Sequence, residues 1–328
     1  MNKINSILII IVISFIFMLF LLGCFLFEDR KDYKELMRDF VIKISKYAKQ
    51  LKPNFIIIPQ NGQEILTIDG NIDSDLASDY IAAIDGVGRE DLFYGYLGDD
   101  EETLENDRSY MISFLNIAKN SNKVVLVIDY CSTPSKVDDS YNQNYNLGFI
   151  SFAADKRELD NIPNYPKNPY NENSNDINSL SDAKNFLYII NPSSYPNKND
   201  FLNALKNTNF DLIIIDLFFY EQMLTKEDID SLKTKQNGGK RLIICYMSIG
   251  EAEDYRYYWE DEWYYNPPSF LDKENPDWPG NYKVKYWDPS WQAIIYGNDN
   301  SYLKKIIDSN FDGVYLDIID AFEYFENL

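Results

Sequence analysis

A recurring local pattern marks the positions that could do chemistry: an aliphatic run gives way to an acid or an amide. Asp216 follows Ile215, Asp129 follows Ile128, Asp317 follows Leu316, and Gln60 and Asn61 follow Ile58-Pro59. Glu90, in Gly86-Val87-Gly88-Arg89-Glu90-Asp91, and Glu251, in Met247-Ser248-Ile249-Gly250-Glu251, stand in the same relation to their runs. In a parallel barrel such strand tips converge on one rim, where barrel enzymes keep their sites. Two carboxylates flanking a bond can protonate a leaving oxygen and attack, or activate water against, the carbon left behind. Placed close together they also raise one member's pKa, which keeps a proton available for donation.

Other chemistries are excluded by what is missing. The chain has no histidine, so Ser-His-Asp triads, Cys-His pairs and HExxH zinc sites are all absent. Its cysteines, Cys24, Cys131 and Cys245, fit no zinc or redox spacing, and Cys131 and Cys245 read as buried thiols. An acidic ring can ligate a divalent cation through oxygen, but no Asp-x-Asp-x-Asp loop with its glycine is present. The sequence calls for no metal and no cofactor. A net charge of −21 argues against a nucleic-acid partner, which needs a basic surface to neutralise phosphates.

Aromatic residues supply a second signal. All five tryptophans lie between Trp259 and Trp291, in a tract rich in tyrosine whose ring faces suit sugar rings as well as self-packing. Trp259 and Trp287-Asp288 are expected to face a ligand.

The elements that position these residues are read from periodicity. Aliphatic runs at 55–58, 84–87, 124–128, 187–190, 212–215, 242–247, 282–286 and 314–316 alternate with helical stretches, as in a parallel sheet with crossover helices. Residues 34–51 carry an apolar stripe at three-to-four spacing that Pro53 ends. Thr225 with Asp228 forms a capping box, and 301–309 is a helix before the last strand. With a hydrophobic share of 45% in 328 residues and no GxGxxG turn after any strand, the expected fold is α/β, a (β/α)8 TIM barrel rather than an open doubly wound sheet. Residues 161–184, rich in Asn, Pro and Ser, interrupt the rhythm as a linker inside one domain spanning 28–328.

The first 27 residues read as a targeting element, with Lys3 ahead of an apolar run. Leu21-Leu22-Gly23-Cys24 resembles a bacterial lipobox that acylates Cys24; the alternative is an uncleaved helical anchor, for which about 20 apolar residues suffice. Either way the expected location is the extracytoplasmic face of a cell membrane or envelope, with the membrane a partner through lipid or helix.

The sequence resembles the endo-α-1,4-polygalactosaminidase family, glycoside hydrolase family 114. The resemblance rests on Tyr-Met-Ser-Ile-Gly-Glu-Ala-Glu-Asp-Tyr-Arg at 246–256, Pro-Gly-Asn-Tyr-Lys-Val-Lys-Tyr-Trp at 279–287 and Phe-Asp-Gly-Val-Tyr-Leu-Asp-Ile-Ile-Asp-Ala at 311–321. Ile-Pro-Gln-Asn-Gly at 58–62 and Ile-Asp-Gly-Val-Gly-Arg-Glu-Asp-Leu-Phe-Tyr at 84–94 extend it over most of the chain from Tyr33 onward. The order differs: the part at 33–160 follows the part at 185–328 in the family, so the chain looks circularly permuted, with the linker joining the family's two ends. Permutation is tolerated where native termini lie close together.

The resemblance implies hydrolysis of an amino-sugar polysaccharide. Asp317 would be nucleophile or charge stabiliser and Glu90 the acid/base. Asp216, Tyr246, Ser248, Glu251, Asp320, Gln60, Asn61, Asp129 and Trp287 would bind substrate. The alternative is a barrel lipoprotein that binds glycan without cleaving it. The permuted order also places residue 33 and the last strand's end at the catalytic rim. A tether of about eight residues at roughly 3.5 Å each then holds that face toward the envelope.

Overall fold

The computed structural model describes residues 31–328; the expected targeting segment and Cys24 lie outside the described residues. Residues 34–328 form one compact unit. Among the described residues no helix is long and apolar enough to cross a membrane.

Eight parallel strands carry the unit: β1 (Ile56–Pro59), β2 (Gly86–Glu90), β3 (Val124–Tyr130), β4 (Ile150–Ala154), β5 (Phe186–Tyr188), β6 (Leu212–Ile215), β7 (Leu242–Ser248) and β8 (Gly313–Asp317). They form a five-stranded sheet in the order β1-β8-β7-β6-β5 and a three-stranded sheet β2-β3-β4. The two meet at β1 and β2, where Gln60 bridges Gly88 in parallel and Asp85 N donates to Ile57 O at 2.9 Å. At the opposite edges Phe152 of β4 packs on Phe186 of β5, ring centroids 5.9 Å apart. Their strands read as buried aliphatic runs because helices cover them.

Those helices are α1 (Tyr33–Leu51), α2 (Ser78–Ala83), α3 (Glu105–Asn120), α4 (Pro134–Leu147), α5 (Lys198–Lys206), α6 (Lys226–Leu232), α7 (Pro289–Ile295), α8 (Tyr302–Asp308) and α9 (Ala321–Glu326). Of the predicted stripe on α1, Met37, Phe40, Val41, Ile44 and Ala48 are fully buried, Tyr47 is half-buried and Leu51, in the last turn, is exposed. Pro134 opens α4, where its missing N–H costs nothing, and Gly148 closes it at φ 74°. The Thr225–Asp228 capping box forms at α6, and Ser301 precedes α8.

Two expectations need correction. Residues 282–286 do not join the parallel sheet: Asn281–Val284 pairs antiparallel with Glu251–Glu253 and Leu271–Glu274 in a small sheet of its own. The missing parallel strand is β4, whose Ser151, Ala153 and Ala154 give no aliphatic run. Four strands thus precede the linker and four follow it.

The linker is also more fixed than its composition suggests. Asn173 donates to Asp211 Oδ2 at 2.8 Å, Lys235 donates to Asp211 Oδ1 at 2.8 Å and to Asn173 O at 3.0 Å, and both Lys235 and Asp211 are buried. Tyr170 stacks on Tyr141 of α4 at 4.8 Å, and Ile177 is buried. Between β4 and β5 this segment stands where the other connections carry an α-helix, its only regular element a 3-10 turn at Leu180–Asp182.

Candidate active site

Strands β8, β1 and β2 are neighbours, so the residues at their C-terminal ends meet. Gln60, just past β1, donates through Nε2 to Glu90 Oε2 at 2.6 Å and to Asp317 Oδ1 at 3.1 Å. The two acceptor oxygens therefore lie less than about 6 Å apart, the sum of those bonds. Asn61 Nδ2 also donates to Glu90 Oε2 at 3.0 Å, while Glu90 N donates back to Asn61 Oδ1 at 3.1 Å.

Three sharp turns aim these side chains. Asn61, Asp91 and Ile318, each directly after Gln60, Glu90 and Asp317, have φ values of 59°, 60° and 60°. Asn and Asp tolerate the left-handed region, but a β-branched residue there is strained. The strain at Ile318 is matched by a bond, since its N–H donates to Asp317 Oδ1 at 2.8 Å.

Phenols complete the polar shell from inside the strands. Tyr130 at the end of β3 donates to Glu90 Oε1 at 2.5 Å, Tyr246 of β7 to Asp317 Oδ2 at 2.7 Å, and Tyr188 of β5 to Gln60 Oε1 at 3.4 Å. Burial pushes the phenols of Tyr130 and Tyr246 well above their usual range, and Glu90 and Asp317 respectively push the same way, so both remain donors. Tyr315 of β8 is buried with its hydroxyl unpartnered, against Gly88; a Cβ at Gly88 would meet that hydroxyl at 2.0 Å. Only glycine leaves room there.

Burial raises both carboxyls, Glu90 and Asp317, above their ordinary values, and their mutual repulsion adds to the rise at Asp317. Donors oppose the rise on each: Tyr130 and Asn61 on Glu90, Tyr246 and the Ile318 N–H on Asp317. The pair thus titrates as a unit that retains a proton where free carboxylates would have lost theirs. Asp320, three positions past Asp317, is raised to about 7 by burial and then by Glu323.

A cavity of about 430 Å³ opens on the Glu90 side, lined by Asn61, Arg89, Glu90, Tyr110, Asp320 and Glu323 among others. Six of its lining residues are acids, Glu64, Glu90, Asp91, Asp107, Asp320 and Glu323, against one cation, Arg89.

The other predicted positions separate into distinct settings. Asp216 is held in a buried ion pair with Arg256, N···O 2.7 Å, beside Glu253, which Arg256 also binds. Glu251 is buried, its Oε1 accepting from Asn275 and Lys283 at 2.8 Å each and its Oε2 without a partner. Ser248 Oγ donates to Glu251 O at 3.1 Å and so serves its own turn. Trp287 packs edge-on against Phe325, and Trp259 against Trp263, Tyr264 and Tyr282. Asp129 has to be corrected: its fully buried carboxylate accepts from Phe93 N, Ser140 Oγ and Asn144 Nδ2 at 2.8, 2.6 and 3.0 Å. It pins the loop after β2 to α4 and has nothing left for a substrate. Its neighbour Tyr130 faces the pair instead, because successive strand residues point to opposite sides.

Sequence reasoning missed Tyr130, Tyr188, Arg157, Glu253 and the Arg256 ion pairs. A tyrosine in an apolar run reads as core, and nothing local marks Arg157 or the pairing of Arg256 with Asp216, although Glu253 and Arg256 stand at i,i+3 spacing. Cys131 and Cys245 are buried free thiols, as expected. Among the described residues no group of three or more acids or cysteines is arranged to hold a metal ion.

Residues 166–328 match the model of the glycoside-hydrolase family GH114. That segment contains Asp317, Tyr246, Asp216, Glu251 and Arg256, whereas Gln60, Asn61, Glu90 and Tyr130 lie before it. The chain is similar to an uncharacterized protein of Methanocaldococcus jannaschii, 44% identical over 186 residues, covering 54% of this chain and 49% of that protein. It is also similar to an uncharacterized protein of Thermotoga maritima, 40% identical over 120 residues, covering 37% of this chain and 36% of that one. One from Deinococcus radiodurans is 40% identical over 126 residues, 38% of each. The chain therefore spans half or less of the curated relatives it matches. The carboxylate at the tip of β8 lies inside the matched segment, and over residues 166–328 the chain belongs to glycoside-hydrolase family GH114.

Proposed function

We propose that this protein is a glycoside hydrolase in which Asp317 and Glu90 act as a retaining pair at the rim of a closed (β/α)8 barrel. The observation that carries the reading is the Gln60 amide, which binds both carboxylates and sets their spacing. Closure of the barrel is supported by the bridge between β1 and β2 and by the packing of β4 on β5. Permuted family order is supported by the four strands on each side of the linker.

In the first step Glu90, protonated, gives its proton to the glycosidic oxygen while Asp317 attacks the anomeric carbon; the bond to the leaving sugar breaks and a glycosyl ester forms. In the second, Glu90 takes a proton from water, whose oxygen displaces Asp317 from the same carbon. Asp317 leaves as the free carboxylate and Glu90 ends protonated, as it began. Glu90 suits the proton-transfer role because it lines the cavity, where a leaving oxygen or a water can reach it.

The acidic lining favours a polymer carrying amino groups, such as an α-1,4-linked galactosamine polysaccharide. Location on the extracytoplasmic face, anchored through acylated Cys24 or an N-terminal helix, is part of the same proposal. The test is release of new reducing ends from an α-1,4-galactosamine polymer, with product anomers followed by NMR. Turnover with retention, lost by at least a thousandfold in both Asp317→Asn and Glu90→Gln, is expected. Binding of the polymer without cleavage, unchanged in both variants, would make the protein a glycan-binding barrel instead.

A further inference from the structure

The side of Glu90 that faces away from Asp317 is organised by a residue on a third strand. Tyr130, which donates to Glu90 Oε1 at 2.5 Å, carries the Arg157 guanidinium over its ring at 4.2 Å from the centroid. Arg157 follows β4, and its fork is tied on both flanks: Nη2 donates to Asp91 Oδ1 at 2.8 Å and to Gly95 O at 2.5 Å, and Nε to Asp99 Oδ1 at 2.6 Å. Gly95 is at φ 120°, and a Cβ there would lie 2.1 Å from Asp91 Oδ1, so the loop after β2 closes on the guanidinium only with glycine at this position. The ends of β2, β3 and β4 therefore meet in one stack of Asp91, Arg157 and Tyr130, with Glu90 at its head.

We infer that Arg157 is a positioning residue of the Glu90 carboxyl: clamped by Asp91 and Asp99, its guanidinium fixes and polarises the Tyr130 phenol whose proton Glu90 binds. A cation on the face of a phenol draws density from the ring and makes its hydroxyl a stronger donor. A stronger donor to a carboxylate favours the charged form. Arg157 thereby opposes, from outside the polar shell, the burial that raises Glu90.

The groups that face Glu90 are Gln60 and Asn61 after β1, Asp91 on its own turn, Tyr130 from β3 and Arg157 after β4. Tyr188 from β5, Asp317 and Tyr315 from β8, and Asp320 beyond it complete the set. Arg89, the residue before Glu90, lines the same cavity and donates through Nε to Glu90 O at 3.0 Å, whereas Arg157 is the cation on the Tyr130 ring. Removing Arg157 takes away a positive charge and leaves every acid in place, so the direction of the change is fixed: Glu90 must hold its proton to higher pH. The inference rests on the role proposed for Glu90, but its first test does not need a substrate.

The experiment is a pH titration of the full chain labelled with 13C at the glutamate side-chain carboxyl, with Glu90→Gln used to assign the Glu90 signal. Arg157→Gln is expected to move the Glu90 midpoint up by at least half a unit, and Tyr130→Phe to do the same. In the Tyr130→Phe background Arg157→Gln should add less than half of its effect alone, since the phenol carries the influence. An unchanged Glu90 midpoint in folded Arg157→Gln, or full additivity with Tyr130→Phe, overturns the inference. If Arg157→Gln does not fold, Arg157→Lys replaces it: it keeps the charge and loses the fork, so a smaller rise supports the inference and no rise overturns it. The kinetic arm follows kcat/KM on the α-1,4-galactosamine polymer against pH, where the basic limb should move up by the same amount in Arg157→Gln. A shifted titration with no turnover in wild type would leave Arg157 in its role and sink only the hydrolase reading. Turnover with an unshifted titration would do the reverse.

Discussion

Tyr246 gives its hydroxyl proton to Oδ2 of Asp317 across 2.7 Å, while its ring lies buried beside Tyr188, centroids 6.5 Å apart. The hydroxyl is thus set against the carboxylate by the packing of a strand. Hydrogen bonds to charged groups contribute about 1.5 to 3 kcal/mol, and about 1.4 kcal/mol is tenfold in rate. Tyr246→Phe is expected to lower kcat by roughly ten- to a hundredfold with little change in KM, while a urea melt shows the fold kept. An unchanged kcat would mean that Asp317 needs no such donor.

Asp320 predicts a pH dependence of stability. Its carboxyl is raised to about 7 from an ordinary value of 3.8, so the folded protein binds a proton that the unfolded chain has released. The contribution is complete below about pH 4 and is lost as pH rises through about 7. Asp320→Asn, which cannot ionise, should raise Tm at pH 7.5 and change it little at pH 4; an equal shift at both pH values would contradict this assignment.

Lys235 and Asp211 hold the linker. Removing one partner of a buried ion pair leaves the other charge uncompensated, at a cost of about 3 to 5 kcal/mol. Lys235→Met should lose that much in urea unfolding and also expose residues 161–179 to protease, because Asn173 is bound to the same carboxylate. Stability lost without new cleavage in that stretch would show that the segment is fixed by its other contacts.

Gly88→Ala tests the space beneath the pair. The added methyl group meets the Tyr315 hydroxyl at 2.0 Å and its ring carbon Cζ at 2.4 Å. Overpacking of this kind costs about 1 to 3 kcal/mol, and the displaced ring would press on the site where Gln60 bridges Glu90 and Asp317. Expected outcomes are lower stability by urea melt and an altered near-UV CD signal; full stability would show that β2 can yield.

Much of this was legible in the sequence because strand tips obey a simple rule: hydrophobic run, then a polar residue at the rim. The rule selected Glu90, Asp317, Gln60 and Asn61, which the structure brings together. It failed by one position at β3, where it selected Asp129, because an aliphatic run on both faces of a buried strand carries no alternation to say which of two successive residues points inward. It missed β4, since Ile150-Ser151-Phe152-Ala153-Ala154 is small enough to pack closely and too mixed to look like a core strand. Residues 282–286 do have strand character, but local character cannot tell an antiparallel flap from a parallel core strand. Arg157 reaches Asp91 and Asp99, and Arg256 reaches Asp216, across loops, and no local spacing encodes such meetings.

The helix-free stretch between β4 and β5 divides ownership of the pair. Glu90, with Gln60, Asn61, Tyr130 and Arg157, belongs to the strands before it; Asp317, with Tyr188 and Tyr246, to the strands after it. Neither set of four strands holds both carboxylates, so in the proposed mechanism the first half alone carries half of a reagent until β8 lies beside β1. On that proposal the two halves behave like a two-key lock, with chemistry only when the whole chain has folded.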